Sequence, residues 1–354
     1  MNGVKPPYFY WEEILVNIKK ILINTLVAVV IGLSIVNIVG IFYAKQDPIT
    51  ALKTFPIKSL GFLLLLLVID YAIQAIRTMI VLRSMGYRIT FLQALENFFF
   101  VVFFSLVTPM SLGGQPFQIY HLTKLGLSSH DATNISITRM FESILIVFII
   151  SVLMFKNVFR LLRGNLGLSV IILGFLVTLS ISIAGFIAFV NKKFLFGIFK
   201  FISRLTKSEK LQEKEKKALE WLDKMSASTK TLFFQNYWAL IVDLILGIFG
   251  SLIPSFMLKY AVESVSTVRM PLTVIWGAIN MLNTIVFYIP TPGSSGGIEG
   301  FYQLVLSHFY EPKATMTGIF VFRLVTYYLI VFLGIFLIWR FSRFKEEVTS
   351  VGKQ

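Results

Sequence analysis

Three arginines stand inside otherwise apolar stretches of the sequence: Arg77, Arg139 and Arg323. One ionised side chain near the centre of a bilayer costs about 2.5–3.5 kcal/mol even on insertion scales, so each needs a partner or a purpose. Acids are close in sequence, since Asp70 lies two helical turns before Arg77 and Glu142 lies one turn after Arg139. A guanidinium fork also binds two phosphate oxygens at once. The pattern therefore predicts either ion pairs that join helices or a site for a phosphate group.

Other polar residues share these apolar surroundings: Glu96, Asp243, Asn280, Asn283 and Glu299. For Arg77 and Arg139 a third alternative is a position near the bilayer edge, with the guanidinium among the headgroups. Arg323 and Glu299 lie close to an interrupted helix, which favours a functional role for them. The two asparagines share one helix face and would either line a polar path or join helices.

Two stretches rich in glycine and proline interrupt the apolar pattern, "TPMSLGGQPFQ" at 108–118 and "PTPGSSGGIEG" at 290–300. Each follows an apolar segment, 91–108 and 271–289. Irregular backbone at membrane depth is tolerated only where it is buried in protein or lines a polar cavity. Interrupted helices expose N–H groups that attract anions, and glycine lets a ligand approach the backbone closely. Two such breaks together with three arginines predict a site for a phosphate-bearing headgroup.

The composition restricts the class of protein. The chain has 354 residues, of which 56% are hydrophobic and 14% charged, and its mean hydropathy is +0.78. Soluble domains carry about a quarter charged residues, so this is an integral membrane protein. The absence of cysteine excludes thiol chemistry, and the spacing of the three histidines does not suit metal binding. We expect no metal or cofactor, and we assign the net charge of +15 to cytoplasmic loops and anionic lipid rather than to nucleic acid.

The elements that would position these residues are helices. Apolar runs of about 18 or more residues are transmembrane candidates, and we expect full spans at about 22–43, 59–82, 132–155, 168–190, 233–258 and 315–339. The segments 91–108 and 271–289 would enter the membrane, break and return from opposite faces, as in an inverted repeat. The predicted fold is an all-α integral membrane protein of six spans and two re-entrant hairpins, forming a single domain over 1–354.

Loop charges predict the orientation in the cell membrane. With both hairpins re-entrant, most of the 33 Lys and Arg residues share a side with the N-terminus. The positive-inside rule then places both termini in the cytoplasm, with Lys156, Arg160 and Arg163 as an exception. The basic segment 191–232 has an aromatic first part, which favours an interfacial helix over a solvated linker.

Over roughly 20–340 the chain resembles the transmembrane, flippase-type region of the lysylphosphatidylglycerol synthases and their stand-alone relatives. The matching motifs are "TPMSLGGQPFQIYHL", the arginine–acid pair of "TRMFES", "PTPGSSGGIEG", "FRLVTYY" and the arginine-bearing "AIRTMIVLRSMGYRITFLQAL". Gln115 and Gln118 stand where many members carry an acid and an arginine. The resemblance implies a headgroup path formed by Arg77, Pro109, Gly113, Gly114, Gln115, Gln118, Arg139, Glu142, Pro292, Gly293, Gly296, Gly297, Glu299 and Arg323.

The full-length synthases append a soluble acyltransferase domain, which we do not expect here because the last predicted span ends about fifteen residues before Gln354. The resemblance thus implies a translocase for an anionic or aminoacylated phospholipid or a polyprenyl-phosphate lipid. Its partners would be anionic phospholipids and a separate lipid-modifying enzyme. The alternatives are a phosphatidylglycerol lysyltransferase, which would confer resistance to cationic peptides, and a carrier of small solutes or ions. The sequence has no phosphate-binding loop of an ATPase.

Overall fold

A computed structural model describes residues 48–162, 166–205, 215–286 and 289–338, together with scattered positions between 26 and 41. Within these ranges the regular structure is helical, and two segments touch through a single isolated backbone bridge. The predicted class, an all-α integral membrane protein, is confirmed. The helices, numbered here in chain order, are α1 Pro48–Thr54, α2 Ile57–Ser84, α3 Phe91–Leu106, α4 Gly114–Lys124, α5 Ser129–Leu162, α6 Leu166–Val190, α7 Lys192–Leu205, α8 Glu215–Lys230, α9 Tyr237–Gly250, α10 Leu252–Glu263, α11 Leu272–Val286, α12 Gly297–Leu306 and α13 Pro312–Arg323.

Four helical stretches are long and apolar enough to cross a bilayer: Ile57–Ser84, Ser129–Phe159, Tyr237–Glu263 and Pro312–Ile338. They coincide with four of the predicted spans. A fifth predicted span, 168–190, is helix α6. The predicted span 22–43 falls mostly outside the described residues, as do the N-terminal loop and the C-terminal tail. The apolar helices Phe91–Leu106 and Leu272–Val286 are shorter than the four long ones.

Each of these two short helices is followed by one of the glycine–proline stretches, after which the chain reverses direction into a second short helix. In the first hairpin, the ring of Phe104 near the end of α3 stacks on Phe117 near the start of α4, with the centroids 4.7 Å apart. Asn97, closer to the start of α3, lies 3.0 Å from the ring of His121 near the end of α4. The two arms are therefore antiparallel. In the second hairpin, the Tyr302 hydroxyl of α12 likewise donates to Asn283 Oδ1 of α11, at 2.8 Å.

The tips of the two hairpins meet. Pro109 and Pro292 form the isolated antiparallel bridge, so the first break contacts the second one through the backbone. A Cβ atom on Gly293 would lie 3.0 Å from the Leu106 carbonyl oxygen at the end of α3. The order of long helix, hairpin and long helix thus occurs twice along the chain, and the two breaks meet at their tips, where Pro109 is exposed and Pro292 is half-buried. The membrane side from which each hairpin enters stays a prediction.

Other described helices and loops lie outside the spans and the hairpins. The predicted interfacial segment 191–232 contains α7 and α8, and α7 leaves Phe194, Ile198 and Phe201 exposed. Its position at a membrane surface stays a prediction. Outside the spans, the Ser266 and Thr267 hydroxyls donate to Glu311, and these hydrogen bonds lower the pKa of that carboxyl group to about 2. This contact therefore joins the loop after α10 to the start of α13 at physiological pH.

Candidate functional site

Arg77 lies at the centre of a buried group of charges contributed by three helices. From α2 its Nε donates to Asp243 Oδ1 of α9 at 2.7 Å, and its Nη2 donates to Glu142 Oε1 of α5 at 3.1 Å. Its Nη1 donates to Gln74 Oε1, one turn earlier, at 2.9 Å. The side chain is almost fully buried, which excludes the alternative that Arg77 reaches the bilayer edge. Its partners are two acids from other helices rather than the predicted partner Asp70.

Arg139 completes this group. Its Nη1 donates to the Thr78 hydroxyl at 2.8 Å, and its Nε lies 4.0 Å from Asp243 Oδ2. We call Arg77, Arg139, Glu142 and Asp243 the charge cluster. Gly247 of α9 makes room for it, because a Cβ atom there would lie 2.6 Å from Arg77 Nη2. The predicted neighbours Arg139 and Glu142 thus belong to one cluster, although both find their closest partners on other helices.

An apolar groove of about 520 Å³ runs beside the charge cluster, between α5, α6 and α9, with Phe233 from the turn before α9 and Thr284 of α11 also in its wall. Glu142 is the charged residue in its wall. Several rim residues are exposed on the outer surface of the helix bundle, among them Leu145, Ile183 and Ile241. The groove therefore runs from Glu142 of the charge cluster to exposed apolar side chains on the outer surface of the bundle. Its other lining residues are Thr138, Phe141, Ile144, Val147, Phe148, Phe175, Thr178, Leu179, Ser182, Phe186, Ile187, Tyr237, Leu240 and Leu244.

A second buried ion pair fixes the break of the second hairpin. Arg323 Nε donates to Glu299 Oε1 at 2.8 Å, and the guanidinium lies over the Tyr327 ring, 4.1 Å from its centroid. Arg323 Nη2 donates to Ser295 Oγ at 3.1 Å and to the Gly293 carbonyl oxygen at 3.3 Å. Both members of the ion pair are buried. The arginine therefore binds the turn that connects α11 to α12.

Glu299 also caps α12. Its Oε2 accepts from the backbone N–H of Gly296 at 2.7 Å, so each carboxylate oxygen has a donor. A negative charge in the first turn also suits the helix dipole. Gly296 has φ +89° and Gly293 φ +56°, a left-handed backbone that glycine adopts without strain. The glycines and the ion pair together explain why the chain breaks at this place, and both oxygens of Glu299 and two of the three Arg323 nitrogens have internal partners.

The first break, 108–118, contains no charged residue and is joined by a chain of neutral polar groups. Gln118 Nε2 donates to Asn97 Oδ1 at 3.4 Å, and the Ser136 hydroxyl of α5 donates to Gln118 Oε1 at 2.9 Å. The Gly113 N–H donates to the Thr108 hydroxyl at 2.8 Å. A Cβ atom on Gly114 would lie 2.2 Å from Ser105 Oγ and 2.8 Å from the Val101 carbonyl oxygen. The glycine pair is therefore what allows α4 to pack directly on α3.

The residues predicted for the headgroup path thus occupy three neighbouring places rather than one. Arg77, Arg139 and Glu142 are in the charge cluster. Gly293, Gly296, Gly297, Glu299 and Arg323 build the second break, which Pro292 joins to Pro109. Gly113, Gly114, Gln115 and Gln118 build the first break. Among the described residues no three His, Cys, Asp or Glu side chains are grouped so as to hold a metal ion.

Several components of the site carry no strong sequence signal. The position of Asp243 in an apolar segment marks it as a candidate residue. Its partner Arg77, however, lies 166 residues away in the sequence. The same polarity criterion would have found Asn97, which is fully buried between α3 and α4. The groove is different, because its apolar lining has the same composition as any lipid-facing surface. Its existence could not be read from the sequence.

A family model described as "Lysylphosphatidylglycerol synthase TM region" matches residues 26–334 of the chain. This range includes the charge cluster, both breaks and the groove. No match was found among curated proteins.

Proposed function

This chain belongs to the family of the lysylphosphatidylglycerol synthase TM region, and from that premise we propose that it is a lipid translocase of the cell membrane. Membership fits a role connected with membrane lipids. The proposed substrate class is a phospholipid or polyprenyl lipid with a phosphate-bearing headgroup. The observation that carries the proposal is the apolar groove beside the buried charge cluster. A lipid has the same two parts, an apolar chain and a charged headgroup.

The groove fits the chain part of such a lipid. Its wall is almost entirely aliphatic and aromatic, and its rim is exposed to the apolar exterior. An acyl chain that moves from the bilayer into the groove passes from one hydrocarbon environment to another, so it gains little hydrophobic free energy. Packing and polar contacts would therefore set the affinity. An acyl chain could therefore enter and leave sideways without a large barrier. Easy entry and exit of the acyl chain suits a translocase, whereas a protein that binds lipid tightly would hold the chain more firmly.

Arg139 is the proposed ligand of the phosphate. Arg77 has hydrogen-bond partners on Nε and on both terminal nitrogens, whereas Arg139 donates one hydrogen bond, to Thr78, and approaches Asp243 only at 4.0 Å. A guanidinium has five N–H donors in a fork that suits phosphate. Thr138 and Glu142, on either side of Arg139 along α5, both line the groove. In an aminoacylated headgroup, Glu142 would face the ammonium group.

The two hairpin tips would form the barrier that a headgroup must pass. They meet through the Pro109–Pro292 bridge, and the second tip is held by Arg323 and Glu299. Thr284 of α11, the first arm of the second hairpin, also belongs to the groove wall. A movement of that arm would therefore change the groove and the contact between the tips together. In this proposal the buried ion pair keeps the tip rigid, and the charge cluster binds the lipid.

Lipid movement in proteoliposomes tests the proposal. Fluorescent phosphatidylglycerol is placed in both leaflets and the outer leaflet is bleached with dithionite. We expect bleaching beyond the outer half with the wild-type chain and a reduction of at least tenfold in rate for Arg139→Ala. Arg83→Ala is the matched control, because Arg83 is an exposed arginine on α2 outside the cluster. Its rate should equal that of the wild type.

The outcomes separate the alternatives. Bleaching that stops at half for phosphatidylglycerol, lysylphosphatidylglycerol and a polyprenyl phosphate would overturn the proposal. Equal rates in Arg139→Ala and wild type would remove Arg139 from the path. Lysyl transfer to phosphatidylglycerol by the purified chain would support the enzyme alternative, and saturable uptake of a water-soluble compound into sealed vesicles would support the carrier alternative.

A further inference from the structure

In the charge cluster, one guanidinium group donates hydrogen bonds to two different carboxyl groups. An arginine commonly binds a single carboxylate through two parallel N–H donors. Here Arg77 Nε donates to Asp243 and Nη2 donates to Glu142. Both acids therefore lie against the same arginine, one from α9 and one from α5. Two carboxylates held this close repel each other unless one of them takes up a proton.

Each of these two acids also has an oxygen without a donor. Glu142 Oε2 and Asp243 Oδ2 are buried and make no hydrogen bond. Buried acceptors are rarely left without a donor, because the loss of hydration is then uncompensated. Glu299 gives the contrast within the same protein: it has an arginine of its own, and each of its oxygens accepts a hydrogen bond. A carboxyl hydrogen between Glu142 and Asp243 would supply the donor that both oxygens lack.

The charged groups that face this pair are the two arginines of the charge cluster. Arg77 comes from α2 and lies 3.1 Å from Glu142, and Arg139 comes from α5 and lies 4.0 Å from Asp243. The groove residues contributed by α6 and α11 are uncharged, and they include Thr178, Ser182 and Thr284. Two acids therefore stand against two arginines in a buried region. One bound proton gives this group a net positive charge, which burial disfavours unless an anion such as a phosphate enters the groove.

We infer that Glu142 and Asp243 together bind one exchangeable proton, and that this proton is a co-substrate of the groove. The proton comes from water and forms an O–H bond with one carboxylate, with the other carboxylate as acceptor. With the proton bound, Arg139 is less neutralised by Asp243 and binds an anionic phosphate in the groove. When the proton leaves, the carboxylates pair again with the arginines and the phosphate is released. This second part rests on the proposed function; the proton site does not.

Infrared difference spectroscopy tests the proton site without any transport. The wild-type chain in nanodiscs is titrated with acid and base, and the C=O stretch of a protonated carboxyl group is followed. We expect one such band to be lost in Glu142→Gln and equally in Asp243→Asn, because each substitution leaves a single acid with two arginines. Because two separate variants are measured, the test still works if one of them fails to fold. A band that persists in both variants, or no protonated band at any pH, would overturn the inference.

Asp70 and Glu96 serve as controls for the assignment of the band. Asp70 Oδ1 is also buried without a donor, and Glu96 is a half-exposed acid on α3. The band of the pair should remain in Asp70→Asn and in Glu96→Gln. Loss of the band in Asp70→Asn, with retention in Glu142→Gln, would assign the proton to Asp70 and contradict the inference.

The coupling is measured as the rate of phosphatidylglycerol movement against pH in the proteoliposome assay. The wild-type rate should fall by about tenfold as pH rises through the range in which the infrared band disappears, and the Glu142→Gln rate should not change over that range. A wild-type rate independent of pH would overturn the coupling. If no variant moves lipid at any pH, the proposed function fails, while the infrared titration still decides whether the pair binds a proton.

Discussion

At the scale of single residues, the charge cluster depends on the space that one glycine leaves. A Cβ atom on Gly247 would lie 2.6 Å from Arg77 Nη2 and 2.3 Å from Ile146 Cδ1. The guanidinium is held by Asp243, Glu142 and Gln74, so it cannot move aside without breaking these hydrogen bonds. The lack of a side chain at Gly247 is therefore as important for the cluster as its charged members.

The substitution Gly247→Ala should destabilise the protein by about 1–3 kcal/mol, the usual cost of overpacking a core. The measurement is the thermal unfolding midpoint in detergent, accompanied by the lipid movement assay. Gly250→Ala is the matched control, three residues further along α9, where a Cβ atom would be 3.6 Å from its nearest neighbour. In that variant we expect an unchanged or slightly higher midpoint, since alanine favours a helix. Equal losses in the two variants would show that Gly247 has no special role at Arg77.

At the scale of helices, the groove lies between α5, α6 and α9, next to Glu142 of the charge cluster. Leu179 of α6 points into this space, whereas Leu173, less than two turns earlier on the same helix, is exposed outside the groove. The two leucines therefore separate a role in the groove from a general role of α6 in the membrane.

Leu179→Trp should fill part of the groove and slow lipid movement at least fivefold without lowering the thermal unfolding midpoint. The added ring volume would occupy space that an acyl chain needs, while neighbouring side chains at the open rim can shift. Leu173→Trp should move lipid at the wild-type rate. Slower movement in both variants, or in neither, would argue that the groove is not the lipid path.

Sequence and structure agree best for features that arise from local chemistry. The two glycine–proline stretches predicted the breaks, because left-handed backbone at Gly293 and close packing at Gly114 need residues without a side chain. The buried arginines predicted buried acids. The sequence did not predict which acids pair with them, since Arg77 takes Asp243 from α9 rather than Asp70 from its own helix. That choice depends on how the helices pack, and no local pattern records it.

At the scale of the whole molecule, the proposed mechanism requires the two hairpin tips to separate. The tips touch at Pro109 and Pro292. Residues opposite each other in an antiparallel bridge have Cα atoms about 4.5–5.5 Å apart, a distance that a disulfide bond also spans. The chain has no cysteine of its own. A double variant, Pro109→Cys with Pro292→Cys, would therefore allow the tips to be joined and released by oxidation and reduction alone.

Lipid movement by this double variant, measured before and after reduction in the same proteoliposomes, shows whether lipid crosses while the tips are joined. We expect bleaching that stops near half of the fluorescent phosphatidylglycerol while the disulfide is present and proceeds beyond half once it is reduced. Each single-cysteine variant serves as a control and should be insensitive to the reductant. Movement at the wild-type rate with the disulfide confirmed by gel mobility would overturn the proposed mechanism, because lipid would then be crossing without any separation of the tips.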